Sequence, residues 1–466
     1  MKNSIKSSSC SVSAPLVRRH LDDPIAFVRT ALPALGGVLG TISVKCFIAH
    51  VQSLASNLPS DKKFALNLCQ NRYLFLVAFC AVQVKAQSNL LPPNKTIATQ
   101  CSLADRYDGV YVVHDGVDVG PSIDDVDVNK LVLSSTYTEV LRDIPLDFLS
   151  AITFTSGSTG ESSPSLKYWQ TFVESCEINA QYMLPDGEGV FYMLATVPGQ
   201  HMWGMETSIL LPLMYRVCIC DAQPLFPQDI LNILGALETP RILVSTPVHL
   251  RSMVMSGLSF PSVSRVLCAT APLAQALAAD VEDVFGGTLA EVYGCSEVGS
   301  MACRTTSESD VWTLFSGITF DLIDGQTNAS AAHLPVSVVL SDKLTMLAPN
   351  TFQLLGRSED MIEIGGKRGS LLEMNKILLA MPSIVDGAVF IPDNNAGLNR
   401  VASIIVLAAG TCKSDVLDGF RAVLDPVFIP RPLYIVEALP REESGKLSRK
   451  KLLSLYEACK KKNLKR

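Results

Sequence analysis

Short apolar runs, each bounded by polar turns and separated by helical stretches, recur along the chain and constrain its fold more than any other feature. Phe64-Ala65-Leu66-Asn67-Leu68, Val110-Tyr111-Val112-Val113-His114, Ile242-Leu243-Val244-Ser245 and Arg265-Val266-Leu267-Cys268 have the length and bounding turns of buried strands. Strands alternating with helices predict an α/β architecture with mostly parallel sheets covered on both faces. Over residues 23–58 the pattern predicts a capped helix, a Gly-rich run and a second helix ending before Pro59. Residues 118–127, acidic with Gly and Pro, read as a surface loop. After Gly356 the texture changes. A charged segment, 357–368, precedes compact helix–strand alternation over 371–381, 387–391, 401–407 and 414–423. A large α/β domain over 1–355 and a small α+β domain over 356–466 are therefore expected, since 466 residues exceed one ordinary domain.

Charge and cysteine usage remove several function classes. A net charge of −6 supplies no basic field for nucleic acid, and the basic tail 460–466 reads as a solvated terminus. Thirteen cysteines, an odd number without a CxxC pair, do not make a disulfide scaffold, and point to a reducing cytoplasm. Cys218-Ile219-Cys220 sits in an apolar run and reads as buried strand thiols. The N-terminal residues lack the apolar core of a signal peptide. The apolar stretch 31–51 carries Lys45 and glycines, and 73–84 is shorter than the roughly 20 residues that span a bilayer. No membrane span is expected, and the chain reads as a monomer or homodimer.

Four segments carry chemistry. Phe154-Thr155-Ser156-Gly157-Ser158-Thr159-Gly160 follows an apolar run, so a strand feeds a loop whose N–H groups and hydroxyls can converge on phosphate oxygens. Taken alone, such a string is more often an ordinary Ser/Gly loop. No lysine follows Gly160 directly, which excludes the P-loop of nucleoside triphosphatases. Glu291-Val292-Tyr293-Gly294-Cys295-Ser296-Glu297 sets an aromatic ring, a glycine, a hydroxyl and a carboxylate at the end of another apolar run. A carboxylate there can hold Mg²⁺ against phosphate oxygens. Leu355-Gly356-Arg357-Ser358-Glu359-Asp360-Met361-Ile362 leads into Gly365-Gly366-Lys367-Arg368, and Leu439-Pro440-Arg441-Glu442-Glu443-Ser444-Gly445-Lys446 closes the set.

These four, in this order and spacing, resemble the signature of the adenylate-forming superfamily over about residues 23 to 455. Its patterns are TSGSTG, YGxTE, GRxDDxIKxxGxR and LPRTxxGKxxR. The resemblance implies ATP and Mg²⁺ as cofactors, and the following roles. Thr155, Ser156, Gly157, Ser158, Thr159 and Gly160 form a mobile phosphate loop. Tyr293 stacks on or flanks the adenine, Gly294 belongs to the same cofactor-binding set, Ser296 touches the α-phosphate and Glu297 binds Mg²⁺ and serves catalysis. Asp342 grips the ribose, although Leu340-Ser341 replaces the usual Thr-Gly before it, and Arg357 and Arg368 contact the nucleotide. Lys446 is the catalytic lysine and Glu359 the hinge, near 357–360. His201, in Pro198-Gly199-Gln200-His201-Met202-Trp203-Gly204, gates or lines the acyl pocket, with a core histidine an equally weighted reading. Ala269, Thr270 and Cys295 line the pocket, and Thr270 replaces a glycine of the family pattern.

The phosphate loop departs from the family, with Glu161-Ser162-Ser163-Pro164-Ser165-Leu166-Lys167 in place of Pro-Lys-Gly. The part preceding it is also trimmed. The implied reaction is carboxylic-acid activation followed by thioester formation on an external thiol, either CoA or the phosphopantetheine of a holo acyl carrier protein. The chain resembles small activating enzymes of aryl-polyene-type pigment pathways, which implies an aromatic acid such as 4-hydroxybenzoate. A medium-chain or β-hydroxy fatty acid competes with it. A reading of another class is a non-catalytic nucleotide- or acyl-binding regulator. The altered loop favours that reading, and retention of Glu297 and Lys446 opposes it.

Overall fold

The computed structural model describes residues 13–155, 163–357, 360–364, 367–392, 400–442 and 445–463. The chain folds into two compact units, the first from residues 1–181, 187–193 and 199–223, the second from 182–186, 194–198 and 224–466.

In the first unit, six strands lie side by side in the order Ser163–Tyr168, Leu149–Thr155, Ser88–Leu91, Phe64–Asn67, Val110–His114, Asp125–Asp127. All pair in parallel except Ser163–Tyr168, which returns antiparallel along Leu149–Thr155. The helix Arg72–Val84 makes the crossover between Phe64–Asn67 and Ser88–Leu91. It is buried along nearly its whole length, which explains why its sequence is apolar on all sides rather than amphipathic. Asn71 caps it by accepting from the N–H groups of Tyr73 and Leu74. The strand Asp125–Asp127 falls within the stretch expected to be a surface loop.

The expected helix at residue 23 is instead the strand Pro24–Val28, paired in parallel with Val217–Cys220 and antiparallel with Gly40–Ser43. Ile25, Ala26 and Val28 are fully covered there. A partner strand nearly two hundred residues away outweighs local preference, as context commonly does for short apolar runs. The second expected helix is present as Val44–Asn57, capped by Ser43.

In the second unit, Arg241–Ser245, Arg265–Cys268 and Thr288–Cys295 are parallel neighbours, with Ser245 opposite Cys268 and Cys268 opposite Glu291. Four antiparallel strands extend this sheet: Gly299–Arg304, Trp312–Leu314, Thr351–Arg357 and Asp342–Ala348. Towards the C-terminus, Ile384–Phe390, Ala402–Leu407 and Leu433–Ile435 form a small sheet. Its period-two alternation feeds two cores. Val389 and Ile405 pack with Leu378 and Phe420 from the helices Leu371–Ala380 and Lys413–Val423, whereas Phe390 and Ile404 pack with Leu452 and Tyr456 from Arg449–Asn463. No described helix is long and apolar enough to cross a membrane. The described cysteines are free thiols, and Cys218 and Cys220 are buried in a strand as expected.

One buried polar group sets an acid limit on the first unit. His50 is bonded through Nδ1 to the Tyr73 hydroxyl at 2.6 Å and through Nε2 to the Ser135 hydroxyl at 3.0 Å. Burial depresses its pKa to about 4. Between pH 6.5 and 4 the unfolded chain therefore binds a proton that the folded chain refuses. Stability is full above pH 6.5 and falls on acidification, by about 3 kcal/mol at the lower limit. Urea unfolding of wild type and His50→Gln at pH 7 and pH 4.5 should show a smaller acid-induced loss in the variant.

Candidate functional site

The carboxyl ends of the parallel strands in the second unit gather several of the expected residues. Register places Thr246 one position beyond Ser245, Thr270 two beyond Cys268 and Tyr293 two beyond Glu291, all on the same edge. Open parallel sheets bind ligands at this edge, because the strands end there together and the connecting loops diverge above them. Two inter-strand spacings separate the first strand from the third, about 10 Å.

On the third strand Tyr293 is buried, and its hydroxyl donates to Asp342 Oδ2 at 2.8 Å. Its ring packs on Trp312 and Phe352, with centroids 5.7 and 5.8 Å away. Asp342 opens the strand Asp342–Ala348 and stands opposite Arg357 in the antiparallel register. Tyr293, Asp342 and the backbone of Arg357, scattered in sequence, are thus neighbours. Gly294 is required by packing: a Cβ there would come within 2.4 Å of the Gly299 carbonyl oxygen on the adjoining strand. Beyond it Cys295 and Ser296 are half-buried and Glu297 is exposed. Burial, and next the negative charge of Glu297, push the Cys295 thiol up to about 12, so it stays protonated and is not a nucleophile at neutral pH.

Ala269 is buried and Thr270 follows it with φ +87°, a left-handed conformation that a β-branched residue rarely adopts. The Thr270 hydroxyl oxygen is shut off from solvent and has no hydrogen-bond partner among the described residues. Strain and an unsatisfied polar atom coincide at this one residue, a pairing that collects at functional sites.

Lys446 is exposed, and it leaves a tight turn in which the Gly445 N–H donates to the Glu442 carbonyl and the Glu442 N–H to the Lys446 carbonyl, both at 2.8 Å. Gly445 has φ +78°, and its Cα faces the Thr246 side chain so closely that a Cβ would sit 3.1 Å from Oγ1. The turn that carries the lysine therefore lies against Thr246, on the same sheet edge as Tyr293. His201 belongs to the first unit, half-buried at the N-cap of Met202–Met205, where its carbonyl accepts from the Met205 N–H. A π-helical turn, Glu206–Leu210, follows.

Thr155 ends its strand opposite Ser163. Ser156, Gly157, Ser158, Thr159 and Gly160 lie outside the described residues, as do Glu359, Gly365 and Gly366. Arg368 pairs with Glu363 in the hairpin Met361–Ile364 with Lys367–Ser370. Lys167, the first lysine after the phosphate loop, is 1% exposed and stands opposite Ala151. Four strand positions separate it from Ser163, about 13 Å. Among the described residues no three His, Cys, Asp or Glu side chains converge as a metal cage.

Sequence reasoning missed the pair that holds this edge together. Glu291, fully buried, accepts from Arg304 Nε at 2.8 Å, from the Thr306 hydroxyl at 2.6 Å and from the Leu273 N–H at 3.2 Å. Burial pushes its carboxyl up, against the opposing pull of Arg304 and Thr306. The available signal was an acidic residue inside an apolar strand, which demands a buried partner without saying which.

Comparison with known proteins agrees with this geometry. The AMP-binding enzyme model matches residues 54–329, more than half of the chain, and the AMP-binding enzyme C-terminal domain model matches 373–446. The chain belongs to the AMP-binding enzyme family and is an AMP-forming acid–thiol ligase. It is 26% identical to 4-coumarate–CoA ligase of Rhodobacter capsulatus over 306 residues, 64% of this chain and 74% of that one. It is 42% identical to malonate–CoA ligase of Xenopus laevis over 112 residues, which span 23% of this chain and 19% of that ligase. Among solved structures, ATP-bound MatB from Rhodopseudomonas palustris superposes with a TM-score of 0.76, covering 94% of this chain and 97% of its own, at 17% identity.

Removing Arg304 should be costly. Arg304→Ala strands an uncompensated buried carboxylate and is expected to lower unfolding stability by about 3–5 kcal/mol, whereas replacing both partners by apolar residues should cost far less. Urea denaturation of the single and double variants measures the difference. Equal losses would mean that the pair does not bear on stability as a pair.

Proposed function

We propose that this ligase activates an aromatic carboxylic acid and passes the acyl group to the thiol of CoA or of a carrier protein's phosphopantetheine. The body is residues 1–355 and the lid 356–466, hinged at Glu359. A carboxylate oxygen attacks the α-phosphorus of ATP and pyrophosphate leaves. The thiol then attacks the acyl carbon and AMP leaves. The observation that carries this reading is the shared sheet edge, with Tyr293 bonded to Asp342 at one end and Lys446 rising beside Thr246 at the other.

The roles follow from charge. Asp342 accepts from ribose hydroxyls while Tyr293 holds its second oxygen, and Gly294 lets the backbone approach the base. Ser296 bonds the α-phosphate, together with Arg357 and Arg368. The phosphate loop 155–160 holds the outgoing pyrophosphate. Glu297, exposed at the strand end, suits Mg²⁺, which takes one or two carboxylates and completes its shell with phosphate oxygens and water. When bound, Mg²⁺ neutralises the charge of the departing pyrophosphate. Ala269, Thr270 and Cys295 line the acyl pocket.

Lys446 relieves the repulsion between carboxylate and phosphate. Two unit charges 4 Å apart repel by about 4 kcal/mol at an effective dielectric constant of 20, which is roughly a thousandfold in rate. Lys446→Ala should therefore slow ATP–pyrophosphate exchange about a thousandfold while sparing thioester formation from pre-made acyl-adenylate. Equal loss of both half-reactions would contradict a lid that changes position between them.

The 4-coumarate–CoA ligase supports an aromatic acid, and the side chain of Thr270 narrows the pocket. Exchange should be tested with aromatic, β-hydroxy, medium-chain fatty and malonic acids side by side, with CoA and a holo carrier protein as acceptors. Silence with every acid would favour a regulatory binding protein. Thr270→Gly removes both strain and bulk. It should raise stability by about 1 kcal/mol and shift kcat/KM towards bulkier acids by about tenfold. An unchanged acid preference would take Thr270 out of the pocket.

A further inference from the structure

We infer that Arg441 is a positioning residue for Lys446: its guanidinium grips the Asp386 carboxylate and the Gly445 carbonyl at once, and so sets the peptide from which the lysine departs. The inference rests on the reading of Lys446 as the adenylation lysine. Arg441 donates from Nε to Asp386 Oδ2 at 2.8 Å and from Nη2 to Oδ1 at 2.6 Å, a bidentate pair. Its remaining terminal nitrogen, Nη1, donates to the Gly445 carbonyl at 2.9 Å. The two side chains are 15% and 12% exposed, too sheltered to be an ordinary solvated ion pair.

Asp386 is itself anchored. It lies on the strand Ile384–Phe390, and its Oδ1 also accepts the Gly387 N–H at 2.8 Å. On the other side of the turn stands the helix Pro247–Met255. Thr246, its N-cap, touches Gly445, and Arg251 reaches from it to the carbonyls of Leu379 and Ile384. The Arg441 charge also faces this helix, since after burial it is what depresses the His249 pKa. The turn is therefore clamped between a small-sheet carboxylate and a helix N-terminus, with the Arg441 guanidinium donating to the Gly445–Lys446 peptide. A lysine at 441 would keep the charge and lose the fork, because an ammonium cannot meet a carboxylate side-on and a carbonyl from fixed directions.

Arg441→Lys should lower kcat for ATP–pyrophosphate exchange about a hundredfold. KM for ATP and thioester formation from pre-made adenylate should each stay within about twofold of wild type, a small change beside the effect on exchange. The discriminating variant is the charge swap Arg441→Asp with Asp386→Arg. It can restore the ion pair and Tm, but it cannot return a donor from position 441 to the Gly445 carbonyl, so exchange should stay low. If the swap restores exchange along with Tm, Arg441 is a structural staple and the inference falls. Should the swap not fold, Asp386→Asn keeps one acceptor and should lower exchange about tenfold; unchanged exchange there, or in Arg441→Lys, also overturns it. Lys446→Ala is run in parallel. If that variant exchanges normally, the reading of Lys446 has failed, independently of Arg441.

Discussion

The buried pair of Glu291 and Arg304 is the interaction on which the second unit's sheet edge depends. Both side chains are 4% exposed, so each charge has given up its water and must be satisfied by protein. Glu291 does this by binding three elements together: its own strand, the loop at Leu273 and the Thr306 turn. Arg304 extends the set by lying over the Trp312 ring at 4.5 Å and pairing with Asp310. Trp312 packs on Tyr293, and Tyr293 reaches Asp342. A single desolvated ion pair is thus continuous, through two aromatic contacts, with the Asp342 carboxylate.

That rigidity contrasts with the other end of the edge. The turn before Lys446 is fixed by the hydrogen bond from Arg441 and the close approach of Gly445 to Thr246. Directional polar contacts of this kind define one geometry well and can be exchanged for another at low cost, unlike a packed core. Thr270 adds the third property of the edge, a side chain held in a strained conformation with its hydroxyl unsatisfied.

The buried strands were legible because burial on both faces demands apolar residues at every position, and that pattern survives in Arg265–Cys268 and Val110–His114 whatever surrounds them. The region after residue 23 was not legible in the same way. Ile25-Ala26-Phe27-Val28 suits a buried helix or a buried strand equally, and only the pairing with Val217–Cys220 decides. Lys167 illustrates the same limit for chemistry. By position it could have served the phosphate loop, yet the antiparallel return of its strand carries it into the interior.

The amino-acid sequence by itself determined the α/β class and the family, because strand burial and phosphate chemistry each require particular residue types in fixed local order. What only the tertiary structure decided was adjacency: Tyr293 with Asp342, Glu291 with Arg304, Gly445 with Thr246 and Arg441 with Asp386. Each partnership joins segments distant in the chain. A charge or hydroxyl in a sequence announces that it needs a partner, but strand register and turn geometry choose which partner arrives.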